Sequence, residues 1–115
     1  MLIATTPTIA GHTITETKGE VFGLIVRSRG VAGNFVAGLR TVFGGEISEY
    51  THLLEESRQE AIDRMIANAT KLGANAIVSM RFDGGSIGAN GSMSEIVAYG
   101  TAVVIAPGHT GAAGE

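Results

Sequence analysis

The 115-residue chain contains no cysteine and no tryptophan, and proline occurs only twice, at Pro7 and Pro107. Without cysteine there is no disulfide, no iron–sulfur cluster, no thiolate zinc site and no cysteine nucleophile. Charge is also scarce: Asp, Glu, Lys and Arg make up 17% of residues, against about 25% in an ordinary globular domain. The net charge of −3 argues against a nucleic-acid partner, because that affinity comes from neutralising phosphates with Lys and Arg. Long apolar runs are missing as well. A membrane-spanning helix needs roughly 20 mostly apolar residues, and the most apolar window, Ile96 to Ala106, is far shorter and reads as a strand. The N-terminal residues Met1-Leu2-Ile3-Ala4-Thr5-Thr6-Pro7 have neither the basic region nor the long apolar stretch of a secretion signal. A cytoplasmic protein with no membrane or nucleic-acid partner is therefore expected.

Apolar residues, by contrast, are plentiful. They form 44% of the chain, which rules out disorder over most of its length. The length is that of one domain, placed at residues 1–106, with the small, polar and glycine-rich residues 107–115 as a disordered tail. The 17 glycines are roughly twice the usual share and follow no collagen period.

Strand signals come first. Residues 2–6 suit a short strand stopped by Pro7, and His12 to Ser28 a long one, interrupted at Lys18-Gly19-Glu20 by a bulge or turn. Val21 to Val26 is apolar on both faces. After a flexible connection at 29–33, Asn34 suits an N-cap, and Phe35, Val36, Leu39, Val42 and Phe43 fall at helical spacing. Gly44-Gly45 would end that short helix. A longer one is expected from about Glu46 to Leu72, with a stripe through Ile47, Tyr50, Leu54, Ala61, Met65 and Leu72, widened by Leu53, Ile62, Ile66 and Ala69. Glu60 and Arg64 suit an i,i+4 pair, and Gly73 closes the helix.

Asn75 to Asp83 then alternates, with Ala76, Val78, Met80 and Phe82 on one face and Ile77, Ser79 and Arg81 on the other. Residues 84–91 read as a loop with a turn at Asn90-Gly91. A last strand runs from about Ser94 to Ile105. The order strand, strand, helix, helix, strand, strand predicts a two-layer α+β fold, a mostly antiparallel sheet with a short and a long helix on one face. The last strand is apolar on both sides, with Val97, Tyr99, Val103 and Ile105 opposite Ile96, Ala98 and Ala102. A helix pair covers only one of those sides, so self-association is expected through the other. Val97 and Val103 are the positions where an introduced Asp should enter that interface.

Four segments in register, Thr5-Thr6-Pro7, Gly44-Gly45 with Tyr50, Leu72-Gly73-Ala74-Asn75-Ala76-Ile77-Val78, and Gly88-Ala89-Asn90-Gly91-Ser92-Met93 leading to Tyr99-Gly100-Thr101, resemble the YbjQ-like family of small bacterial proteins. The match covers about residues 1–105. The resemblance implies a dodecin-like subunit assembled as a homopentamer. The family is sometimes labelled heavy-metal-binding, and the resemblance supplies no ligand set and no activity.

The residues themselves offer one metal candidate. His52 lies on the long helix with Glu49 at i−3, Glu55 at i+3 and Glu56 at i+4, so an imidazole and carboxylates share one face for a divalent cation. No H-E-x-x-H signature is present, and a solvated helix face is the simpler reading of the same charges. No serine sits in G-x-S-x-G. Glu16, Glu20, Asp83 and Glu95 each read as solvent-facing strand or turn residues, so no catalytic residue is expected. Gly84 to Gly91 lacks the spacing of a phosphate loop, and a hairpin accounts for its glycines. The expected function is that of a small homo-oligomeric binding protein with its ligand or partner in pockets between subunits; divalent or heavy-metal binding is the alternative.

Overall fold

A computed structural model describes residues 1–28, 48–88 and 93–108. The expected short helix at 35–43, its Gly44-Gly45 cap, the start of the long helix at Glu46 and Ile47, the Asn90-Gly91 turn and the tail from 109 onwards lie outside the described residues. Five elements follow in order: β1 (Leu2–Ile3), β2 (His12–Ser28), α1 (Ser48–Lys71), β3 (Ala76–Ile87) and β4 (Met93–Pro107). The four strands make one sheet in the order β1-β3-β4-β2. β1 runs parallel to β3, and β4 pairs antiparallel with both β2 and β3. The fold is α+β, as expected.

α1 packs on one face of this sheet through Ala61, Met65 and Ala69, all fully buried, with Ile62 and Ile66 partly buried beside them. Across from them lie Val21 and Ile25 of β2, Ile77 and Met80 of β3, and Ala98 and Ala102 of β4. Leu53, Leu54 and Leu72, expected in the same stripe, are exposed. Ser57 is buried within it instead and satisfies its hydroxyl on the Leu53 carbonyl at 3.0 Å. The helix lies close against the sheet at Gly23, where a β-carbon would collide with the Ala61 carbonyl and the Met65 amide. Only glycine permits that approach.

The helix ends in a Schellman motif. Gly73 takes a φ of 85°, its N–H donates to the Thr70 carbonyl at 2.9 Å, and the Ala74 N–H reaches back to Ala69 at 3.1 Å. Both 6→1 and 5→2 bonds of the motif are thus made. Asn75 then bridges helix and strand. Its amide donates to the Ile105 carbonyl at 3.0 Å and accepts from the Ile105 N–H at 2.7 Å.

Two strand expectations are corrected. β3 does not keep the alternation of 76–82. Ala76 and Val78 lie on the face away from α1, whereas Ile77, Met80 and Phe82 face it. The cause is a bulge: between the pairs Val78↔Thr101 and Arg81↔Tyr99, β3 advances one residue more than β4. One extra residue reverses every later side chain. Ser79 takes up the bulge with a φ of 54°. The N-terminal segment satisfies its backbone, since the Ser79 N–H donates to Thr6 and the Met80 N–H to Ala4, each at 3.0 Å. The second correction is at 84–87, expected as loop. These residues extend β3, pairing Gly84 with Ile96 through to Ile87 with Met93, because an antiparallel partner accepts glycine wherever its backbone can still form the ladder. β2 matches its expected limits, with register shifts at Ile14/Glu16 and Thr17/Gly19 next to the predicted interruption.

Candidate functional site

The face of the sheet turned away from α1 is divided in two. At one end Ala76, Val78, Val103 and Ile105 form a second small core, closed by Ile14 of β2 and by Ile9 from the segment between β1 and β2. Val103 is 1% exposed there. It therefore belongs to the subunit's own interior and not to a surface open to a second copy, which corrects the expectation for that position. The N-terminal segment provides the cover that strand alternation alone does not reveal.

At the other end no described element covers the face. Phe22, Leu24 and Val26 alternate along β2 with Val21, Gly23 and Ile25, so they project away from the helix. Their fractional exposures are 53%, 40% and 48%. Phe22 stands directly opposite Tyr99 and Leu24 opposite Val97, and Tyr99 is 43% exposed. Cross-strand neighbours at this spacing form a continuous surface. On the β3 side the same rows end in Arg81, paired with Tyr99, and Asp83, paired with Val97. The Arg81 guanidinium is anchored on the carbonyls of Thr5 at 2.9 Å and Met80 at 2.8 Å. The result is an apolar strip two strands wide, with a polar margin on β3. Full burial of a side chain of this size is worth roughly 1.5–3 kcal/mol, so the strip favours a covering surface.

The metal candidate lies elsewhere, on the solvent side of α1. His52 Nε2 stands 3.3 Å from Glu56 Oε2, with both side chains well exposed. Glu55 is exposed on the same helix, and the side chain of Glu49 lies outside the described residues. Among the described side chains His52 and Glu56 are thus brought together, whereas a closed structural site takes about four ligands. Among the described residues no group of three His, Cys, Asp or Glu side chains converges to hold an ion.

Several charges of α1 reach across to the sheet. Glu60, expected to pair with Arg64 along the helix, instead pairs with Arg27 of β2. Arg64 donates to the Leu24 carbonyl at 3.0 Å. Arg58 lies over the Phe82 ring at 4.9 Å from its centroid, a cation–π contact. These long-range partners were invisible to helix spacing. The carboxylates weighed for acid–base chemistry are dispersed: Glu16 pairs with Lys18 at 2.8 Å, and Asp83 accepts from the Gly84 N–H at 2.9 Å. No described helix is long and apolar enough to cross a membrane.

Comparison with known proteins points one way. A family model, YbjQ, described as "putative heavy-metal-binding", matches residues 1–106. A UPF0145 protein of Bradyrhizobium sp. (strain ORS 278) is 56% identical over 107 residues, covering 93% of this chain and 95% of its own. A UPF0145 protein of the archaeon Methanocella arvoryzae is also 56% identical, over 93% of this chain and 88% of its own. Among solved structures, a Pediococcus pentosaceus protein of unknown function from the DUF74 family superposes with a TM-score of 0.64. It is 19% identical and covers 92% of this chain and 98% of its own; at that identity it establishes the fold alone.

Proposed function

Since this chain belongs to the YbjQ family of UPF0145 proteins, we propose that it works as a soluble, cytoplasmic homo-oligomer, a pentamer, that binds a ligand or partner at the seams between subunits and has no catalysis of its own. One observation carries the reading: the apolar strip of Phe22, Leu24, Val26 and Tyr99, which no other described residue covers. A strip of this kind marks an association surface, and a second copy of the same chain is the most available partner. The pentamer is the assembly that the YbjQ resemblance implies.

The dispersed carboxylates support the absence of catalysis, because general acid–base work needs groups that converge on one reacting centre. The second reading is divalent or heavy-metal binding, favoured by the family description and by the His52–Glu56 pair. Imidazole and carboxylate suit a borderline ion such as zinc, and the missing ligands would come from Glu49 or a neighbouring subunit.

Native mass spectrometry of the untagged protein, before and after treatment with a chelator, separates the two. A pentamer mass without adducts supports the first reading. A pentamer carrying chelator-sensitive adducts in fixed ratio to subunits supports the second, and a monomer refutes the assembly.

A further inference from the structure

The bulge in β3 and the N-terminal segment hold each other in place. Ser79 and Met80 stand between the pairs Val78↔Thr101 and Arg81↔Tyr99 and have no register partner on β4. Their amides donate instead to the Thr6 and Ala4 carbonyls, each at 3.0 Å, and the Ala4 N–H returns a bond to the Ile77 carbonyl at 2.9 Å. Arg81 follows directly, its Nη1 donating both to the Thr5 carbonyl at 2.9 Å and to the Met80 carbonyl at 2.8 Å. Opposite the bulge β4 presents Gly100, where a β-carbon would press on the Val78 carbonyl and the Met80 α-carbon. β4 makes room for the bulge, and residues 4–6 bond it.

The grip of that segment is shallow. Thr5 to Thr8 are exposed, and Ile3 and Ile9 are half-buried at the rims of the two cores, whereas α1 is anchored by three fully buried residues, Ala61, Met65 and Ala69. Segments with little apolar burial open at low cost. This one cannot leave alone, however. Its departure strips two amides of their partners and leaves Ser79 at a φ of 54° without support. Straightening β3 offers no escape, because it would turn Arg81 towards α1 and Met80 and Phe82 away from it.

We propose that residues 4–9 are a strap latched by Arg81, and that strap and bulge open together, as one unit, while the helix core stays closed. Opening withdraws Ile9 and bares the small core of Val78, Val103 and Ile105 that it covers. The strap is thus a built-in cover whose state decides whether this end of the sheet face is inside the subunit or available at its surface. The device lies within one chain and does not depend on self-association.

Native-state hydrogen exchange of the full-length protein in low urea tests it. The Ala4, Ser79 and Met80 amides are expected to share one opening equilibrium, reached well before that of Met65 and Ala69. Arg81→Gln removes the latch at an exposed position, and Ile9→Ala trims the cover. Each should speed exchange at Ala4, Ser79 and Met80 by a common factor, about ten-fold for the loss of a hydrogen bond from a charged group, and leave Met65 and Ala69 unchanged. Ile62→Val, on the helix side, should speed Met65 and Ala69 alone. Acceleration of Ser79 without Ala4, or of all five amides equally, would overturn the separate unit. An unaltered Ser79 rate in Arg81→Gln would overturn the latch.

Discussion

Gly23 and Ala61 meet backbone to backbone: a β-carbon at Gly23 would run into the Ala61 carbonyl, with the Met65 amide and the Arg64 β-carbon close behind. The helix rests on β2 itself here, and its two arms, Arg64 and Asn68, reach the neighbouring carbonyls because of that approach. The close helix-to-sheet distance, and with it the reach of Arg64 and Asn68 to the β2 carbonyls, therefore depends on one missing methyl group.

Gly23→Ala is accordingly expected to destabilise the fold by about 1–3 kcal/mol or more, the range for overpacking a tight core. Gly85→Ala is the control. A β-carbon there meets nothing within 4 Å, so its effect should stay within about 0.5 kcal/mol. Urea unfolding of both variants measures the difference, and equal midpoints would refute the close approach.

Asn75→Ala should be costly for a different reason. The Asn75 amide exchanges both of its hydrogen bonds with the main chain of Ile105, acting as one more rung of the β3–β4 ladder. Alanine leaves a partly buried N–H and carbonyl without that partner, a loss of about 1–3 kcal/mol. Hydrogen exchange gives the local readout: protection of the Ile105 amide should fall well beyond the global change.

The Ser79 bulge predicts opposite signs for two substitutions. A side chain at positive φ carries roughly 1–2 kcal/mol of steric cost, and Ser79 sits at 54°. Ser79→Gly should be neutral or stabilising by up to about 1 kcal/mol, once the greater freedom of glycine in the unfolded chain is offset. Ser79→Val should destabilise, since β-branched residues tolerate this region least. A stable valine variant would show that the bulge relocates.

Association and folding can be separated on the same face of the sheet. Phe22→Asp places a charge on a side chain that is 53% exposed, whereas Val103→Asp places it on one that is 1% exposed. The first should leave the secondary structure unchanged by circular dichroism and alter only the sedimentation coefficient. The second buries an unpaired carboxylate and should prevent folding. A folded, fully assembled Phe22→Asp protein would place the interface elsewhere.

The contrast between Phe22 and Val103 also marks how far the sequence could be read. Alternation on β2 and β4 was legible, because period 2 survives wherever pairing is regular, and the helix was legible from its stripe through Ala61, Met65 and Ala69. The reversal of β3 at Ser79 was not. The sequence Val78-Ser79-Met80 alternates as well as its neighbours, and the bulge depends on carbonyls of Ala4 and Thr6 more than 70 residues away. Ile9 over Val103 and Glu60 with Arg27 were hidden for the same reason: each is a long-range choice between partners that local spacing ranks equally. Helical spacing placed Glu49, Glu55 and Glu56 beside His52, and the His52–Glu56 pair is the one that the described side chains form, since i,i+4 neighbours face one another whatever the tertiary fold.

That pair leads to the last prediction. His52 is 73% exposed and Glu56 58%, and a surface pair of this kind contributes at most about 1 kcal/mol. Replacing His52 with Ala should therefore leave the urea midpoint nearly unchanged, whatever the pair does for metal. The metal reading makes a separate demand. If His52 supplies the nitrogen ligand, the chelator-stripped protein should take up zinc in fixed ratio to subunits, and His52→Ala should abolish that uptake as measured by elemental mass spectrometry. Glu56→Gln, which keeps the shape and removes the charge, should weaken it ten-fold or more, the scale expected when a carboxylate next to a metal is lost. Unchanged uptake in His52→Ala would exclude this helix face as the metal site, because the remaining expected donors there, Glu49, Glu55 and Glu56, are all carboxylates, which suit magnesium, calcium and manganese better than a heavy metal.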